Sequence, residues 1–137
     1  MTVYADTSVL VAFIFDEPAS DRIRDWFRRT TQRIVVSDLE FPAVVTRSTR
    51  TGRLNPTEAS AALASFDLLA ARSRPLRHDR ADFAAAEMLV RNFSTKLTAP
   101  DALHLASAKN AGATLATLDV RLAEVARGQG LALAELG

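Results

Sequence analysis

The order of residues along this chain predicts an α/β fold: a short, mostly parallel central sheet with helices on both faces. Two observations carry that expectation. Short apolar, β-branched runs recur along the chain, and the stretches between them space their apolar residues at helical intervals. Parallel strands must be joined by crossovers, and right-handed crossovers put helices on both sides of the sheet. At 137 residues the chain suits one domain with a real core, so residues 1–137 are expected to form a single domain.

Thr2 to Ala5 reads as a short buried strand, followed by a mostly apolar helix from Ser8 to Phe15 that breaks near Pro18. Ala19 to Arg29 carries Ile23, Trp26 and Phe27 at helical spacing, and Arg33 to Val36 is β-branched enough for a second strand. A helix is expected from Asp38 to Arg50, ended by Gly52 as a left-handed cap. Asn55-Pro56-Thr57-Glu58 then offers an N-cap, a first-turn proline and a capping-box partner for a helix running to about Arg72. Asp79 and Asp82 open another helix through Phe83, Ala86 and Val90, and Pro100 opens the one carrying Asp101 to Lys109, closed by Gly112. Ala113 to Thr117 is the third strand, Val120 to Arg127 a further helix, and Leu131 to Leu133 a last edge strand.

Composition narrows the chemistry. A hydrophobic fraction of 48% with 24% charged residues belongs to a folded globular protein rather than a disordered one. The apolar run from Val9 to Phe15 is too short to span a bilayer, and no basic n-region follows Met1, so a cytoplasmic protein with no membrane partner is expected. The absence of cysteine removes disulfides, thiolate nucleophiles and Cys-based zinc sites, leaving oxygen or histidine to hold any metal. A net charge of +1 gives no global pull toward nucleic acid.

In parallel α/β sheets, sites form beyond the carboxyl ends of the strands, so acids placed there carry weight. Asp6 follows the first strand and Asp119 the third, while Glu40 and Asp101 sit in the first turns of two helices, where the macrodipole favours a carboxylate. Four acids converging on one cleft would suit a hard divalent cation, Mg²⁺ or Mn²⁺, which takes one or two carboxylates plus waters and a substrate phosphate. Such an ion acidifies bound water and neutralises charge on a phosphodiester being cleaved. Each acid also has a simpler reading, Asp6 and Asp119 as turn formers and Glu40 and Asp101 as helix-end residues.

The local sequence tips that balance. Asp6-Thr7-Ser8-Val9-Leu10-Val11 resembles the opening of PIN domains, Ala99-Pro100-Asp101-Ala102-Leu103-His104-Leu105-Ala106 resembles their third acidic motif almost letter for letter, and Thr117-Leu118-Asp119-Val120-Arg121-Leu122-Ala123 the fourth. The resemblance runs from Val3 to Leu133, and the order of the motifs is similar to that of VapC-type toxins. The second motif, Ser37-Asp38-Leu39-Glu40, is shorter than the family pattern. Counting back from Arg50-Thr51-Gly52 places the family glutamate at Glu40 rather than Asp38.

This resemblance implies a PIN-like three-layer α/β/α fold and a metal-dependent endoribonuclease, the toxin half of a VapBC-type toxin–antitoxin pair. It implies Asp6 and Asp101 as metal ligands, with Glu40 and Asp119 completing the catalytic set through waters or a second ion, and metal-bound water as the nucleophile. It further implies an RNA substrate, a VapB-type antitoxin whose partly disordered tail wraps over the pocket, and a homodimer.

Other residues read more plainly. His104, three positions after Asp101, is expected to be a structural histidine, and with only His78 beside it no His-rich metal site is supported. Thr7, Ser8 and Thr117 could hydrogen-bond the carboxylates or the scissile phosphate, but beside strand ends such residues more often cap turns, so they are left out of the catalytic set. No nucleophile elbow and no Gly-rich phosphate loop occur, which removes Ser–His–acid hydrolysis and P-loop nucleotide chemistry. Arg47, Arg50 and Arg53 recur every three residues, either as a basic stripe toward the pocket or as complements to their helix dipole. Leu63, Phe66, Leu69 and Leu89 read as core or dimer face. The competing functions are a DNA or structure-specific nuclease of PIN type, for which the chain lacks the length of a substrate arch, and a non-catalytic module that binds metal structurally.

Overall fold

A computed structural model describes residues 1–137. In chain order the elements are β1 (Thr2–Ala5), α1 (Thr7–Ile14), α2 (Ser20–Arg29), β2 (Arg33–Val36), α3 (Glu40–Arg50), α4 (Pro56–Arg72), β3 (Arg74–Pro75), α5 (Arg80–Arg91), α6 (Ala99–Asn110), β4 (Thr114–Ala116) and α7 (Val120–Gly128). The strands form one four-stranded sheet in the order β3-β2-β1-β4, and every neighbouring pair is parallel.

Side chains alternate across a strand, and that alternation splits the core in two. Val3, Ala5, Val36 and Ala116 pack on one side against α1 to α4, through residues such as Leu10, Ile23, Phe41 and Phe66. Tyr4, Val35 and Leu115 face the other side and meet Leu105 of α6 and Leu122 of α7. The sheet is therefore buried on both faces between two helical layers, as its β-branched, unbroken apolar strands require. No helix is long and apolar enough to cross a membrane.

The connectivity positions the site. From β1 the chain moves outward through β2 to β3 and then returns to the opposite side of β1 as β4, so the strand order reverses between β1 and β4. Ala5 lies in register with Ala116, and the Asp6 amide donates to the Ala116 carbonyl at 3.0 Å. The carboxyl ends of these two strands thus lie side by side at a topological switch point, where ligand crevices form in such sheets.

Local chemistry sets most boundaries. The expected capping box at Asn55 and Glu58 forms at the start of α4, and a second forms at Asp79 and Asp82 before α5. Gly52 takes φ +77° just beyond α3, a left-handed cap that a Cβ would strain. Three expectations shift. Helix α3 begins at Glu40 rather than Asp38, because Asp38 and Leu39 form a turn with no side-chain cap to extend the helix backward. The two-residue strand β3 was not foreseen, since Arg74-Pro75 has no strand pattern; it lies at the sheet edge, where a proline need not donate, and the Leu76 amide bonds the Val36 carbonyl at 3.1 Å. The edge strand expected at Leu131 to Leu133 reduces to a single parallel bridge between Leu133 and Leu115.

Candidate functional site

Asp6 follows directly on β1 and is 4% exposed. It is the N-cap of α1: Oδ1 accepts from the Val9 amide at 3.2 Å and from the Ser8 hydroxyl at 2.5 Å, while Oδ2 accepts from the Thr117 hydroxyl. Thr117 follows β4, so the hydroxyl that holds Asp6 comes from the neighbouring strand across the switch point. Its Oγ also accepts from the Asp119 amide at 3.0 Å, and the Ser8 Oγ accepts from the Leu118 amide at 2.9 Å. Burial pushes the Asp6 carboxyl above the usual aspartate range, and the hydrogen bonds from Ser8, Thr117 and Val9 only partly offset it.

Glu40 opens α3 with its side chain 25% exposed. Its Oε2 accepts from the Thr7 hydroxyl at 2.5 Å and from the His104 Nε2, which ties α3 to the residue after Asp6 and to α6. The imidazole continues through Nδ1 to the Tyr4 hydroxyl in the middle of β1. Burial alone would raise the Glu40 carboxyl, but the hydrogen bonds from His104 and Thr7 help hold it below its ordinary value. Burial, then the negative charges of Glu40 and Asp6, push the Tyr4 phenol far above its usual range.

The other two acids sit differently. Asp101 lies in the first turn of α6, whose N-cap Thr98 accepts from the Asp101 amide at 3.4 Å; its carboxylate is partly exposed and takes no hydrogen bond from the chain. It is one turn before His104 on the same helix. Asp119 is exposed, and its Oδ1 caps α7 by accepting from the Arg121 and Leu122 amides at 2.9 and 3.0 Å. The structure therefore links Asp6 with the Asp119 backbone through Thr117 and Glu40 with the residue after Asp6 through Thr7, while no contact joins the Asp101 carboxylate to the other acids. Asp38, the alternative second acid, is exposed and takes no hydrogen bond, whereas Glu40 is held by two donors.

No group of three or more acidic or histidine side chains closes tightly enough to cage an ion. The four acids expected to converge are therefore not gathered around one ion position. The donor set is all oxygen, since the chain has no cysteine and the nitrogen nearest the acids, His104 Nε2, is already committed to Glu40.

Beside Glu40 and His104 opens a groove of about 850 Å³ between α5, α6 and the turn before α3, lined by apolar residues including Leu39, Leu76, Phe83 and Leu103. Of the four acids only Glu40 lines it. Leu39 and Phe83 are 77% and 58% exposed, an apolar surface with nothing covering it.

Sequence reasoning set aside the residues that connect these acids. Thr7, Ser8 and Thr117 do more than cap turns: each holds a carboxylate of the site. His104 is indeed buried, but it bonds Glu40. A signal existed in Tyr4, the single tyrosine of the chain, placed inside an apolar strand two residues before Asp6, because a buried phenol needs a polar partner.

Comparison with known proteins identifies the family and the fold. A family model described as "PIN domain" matches residues 3–128. No curated protein matches the sequence. Among solved structures, the chain resembles VapBC-1 from nontypeable Haemophilus influenzae at 16% identity, covering 99% of this chain and 98% of that one with a TM-score of 0.71. It also resembles Mycobacterium tuberculosis VapC20, described as a sarcin-ricin loop cleaving toxin, at 20% identity over 90% and 94% of the two chains with a TM-score of 0.69. FitAcB from Neisseria gonorrhoeae matches at 19% identity over 98% and 97%, with a TM-score of 0.67.

Proposed function

The chain belongs to the PIN domain family, and we propose that it is a metal-dependent endoribonuclease, the toxin of a VapBC-type toxin–antitoxin pair acting on cytoplasmic RNA. The observation that carries this reading is the buried Asp6 carboxylate, held at the switch point by the Ser8 hydroxyl of α1 and the Thr117 hydroxyl after β4, with Glu40 one residue's reach away through Thr7. A charge is expensive to bury, and an acid kept there by ready-made donors points to a task other than stability.

In this reading Asp6 and Asp101 ligate a divalent ion, Mg²⁺ or Mn²⁺, while Glu40 and Asp119 complete the acidic set. Asp6 is rigid before any ion arrives, because donors fix both of its oxygens, Oδ1 by two hydrogen bonds and Oδ2 by one, which leaves a free lone pair on Oδ2. Asp101 is the complement, an unbonded carboxylate at a helix N-terminus. When bound, the ion supplies acidification of water and neutralisation of charge on the scissile phosphodiester. Glu40 keeps one oxygen, Oε1, without a donor, and can accept a hydrogen bond there from the attacking water or the RNA. Asp119 orders the start of α7 and leaves Oδ2 unengaged on the solvent side.

Arg47, Arg50 and Arg53 are exposed and form no ion pair, which favours contact with RNA phosphates. The apolar groove with exposed Leu39 and Phe83 favours a homodimer across this face, with a VapB-type antitoxin covering the acidic cleft. Brief induction in a bacterium followed by sequencing of RNA ends tests the function: new ends at a few positions in structured RNA are expected from the wild type and none from Asp101→Asn. The same ends with both proteins, or no new ends with either, would overturn it.

A further inference from the structure

The Tyr4–His104 pair is engaged with a site acid yet belongs to neither of the expected ligand and acid sets. We propose that Tyr4 and His104 form a positioning relay that fixes Glu40 with one carboxylate oxygen engaged and the other free; this rests on the nuclease reading above. Tyr4 is 1% exposed and His104 4%, so neither can satisfy its polar atoms with water. Their rings meet edge to face with centroids 5.2 Å apart, which restricts rotation of the imidazole.

Counting donors gives the direction of the relay. The Glu40 carboxylate only accepts, so His104 Nε2 carries a hydrogen and donates to it. The Tyr4 hydroxyl has no other acceptor than His104 Nδ1, so it donates there, and Nδ1 carries no hydrogen. The imidazole is therefore neutral and held as the Nε2–H tautomer by the tyrosine behind it. Thr7 donates to the same Oε2 that His104 reaches, so both donors crowd one oxygen and Oε1 receives none. A glutamate with three free torsions is thereby held in one orientation before substrate arrives, the kind of support a catalytic group needs from its surroundings.

The relay also spans elements that must keep register. Tyr4 is in β1, Glu40 starts α3, and His104 is in α6 one turn after Asp101. The same two hydrogen bonds that orient Glu40 therefore also tie the helix bearing Asp101 to the strand that delivers Asp6.

A buried histidine that merely satisfies a tyrosine would affect stability alone, so the test separates folding from turnover. In the full-length protein, imidazole nitrogen chemical shifts report the His104 tautomer, thermal melts report folding, and kcat and KM are measured for RNA cleavage with Mg²⁺. The wild type is expected to show the Nε2–H tautomer. Tyr4→Phe, still folded, should lose that preference and lower kcat about tenfold with KM nearly unchanged, since an orienting interaction acts on the transition state. His104→Leu should cost roughly a hundredfold in kcat, and His104→Gln, which keeps an N–H donor near Nε2, should recover about tenfold of that loss. Should the leucine variant fail to fold, Tyr4→Phe and His104→Gln carry the comparison. Wild-type kcat in folded Tyr4→Phe and His104→Gln, or an Nδ1–H tautomer, overturns the relay while leaving the nuclease reading intact. If the wild type cuts no RNA, the nuclease reading falls and the tautomer alone decides whether the relay exists.

Discussion

Replacing Asp6 by asparagine should leave the metal-free fold as stable as the wild type or slightly more so, whereas alanine should damage it. Asparagine is as good an N-cap as aspartate and keeps Oδ1 for the Val9 amide and the Ser8 hydroxyl. Its amide can donate to Thr117 Oγ once that hydroxyl turns toward Ser8, 3.5 Å away, so no partner is orphaned. Alanine removes the cap, worth about 1 kcal/mol, and leaves buried donors unpaired at about 1–3 kcal/mol in all. At about 2.1 cal/mol/K of unfolding entropy per residue, a chain of 137 residues shifts Tm by roughly 3–4 °C per kcal/mol, so alanine should lower Tm by about 7–14 °C. The sign of the pH dependence follows from burial. Because the folded Asp6 carboxyl titrates above its unfolded value, the folded state holds its proton longer, and wild-type stability falls as pH rises from the unfolded aspartate value through the higher folded one. Asparagine has no such loss, so its advantage should grow across that window and then level off. Melts of the three proteins against pH, all without metal, check this. An asparagine variant as unstable as alanine, or a difference from wild type that does not change with pH, would refute the claim that burying this charge costs stability.

Asp101→Asn should abolish RNA cleavage with little change in Tm, since its carboxylate bonds nothing in the chain and loses only a helix-terminus term of about 0.3–1 kcal/mol; paired melts and cleavage assays check it, and a large loss of Tm would assign Asp101 to the fold instead. Saturating Mg²⁺ should raise the Tm of the wild type more than that of Asp6→Asn or Asp101→Asn, because only the folded site binds the ion and binding at a hundred times Kd stabilises the folded state by about 2.7 kcal/mol. Replacing both Arg47 and Arg50 by serine should weaken binding to all RNAs alike and flatten the salt dependence by about one slope unit per lost phosphate contact; an unchanged slope returns these residues to complementing their helix dipole.

Much of the fold was legible because local signals and tertiary demands agree. The strand at Thr2 to Ala5, the capping box at Asn55 and Glu58 and the left-handed Gly52 each follow from a few adjacent residues. Strand β3 was illegible for the opposite reason: Arg74-Pro75 pairs only because β2 presents an open edge to it, a condition set by the rest of the fold. The site divides in the same way. Asp6 and Asp119 could be placed from their strand ends, whereas Glu40 was preferred over Asp38 only through the resemblance to PIN domains; Glu40 is the residue that Thr7 and His104 hold. What spacing could not give was the contact between residues such as Tyr4 and His104, whose pairing depends on how α6 lies on the sheet. The role of Asp119 as a helix cap leaves room for its proposed part in the acidic set, because Oδ1 serves the helix and Oδ2 is not engaged.

The proposed function requires a divalent ion held by oxygen ligands and used on RNA. Purified protein incubated with a structured RNA in Mg²⁺ or Mn²⁺, in parallel with excess EDTA, tests it most directly. Cleavage at a few positions with either ion, stopped by the chelator and restored by adding the ion back, is the predicted result; cleavage undiminished in EDTA, or an intact RNA under every condition, would contradict it.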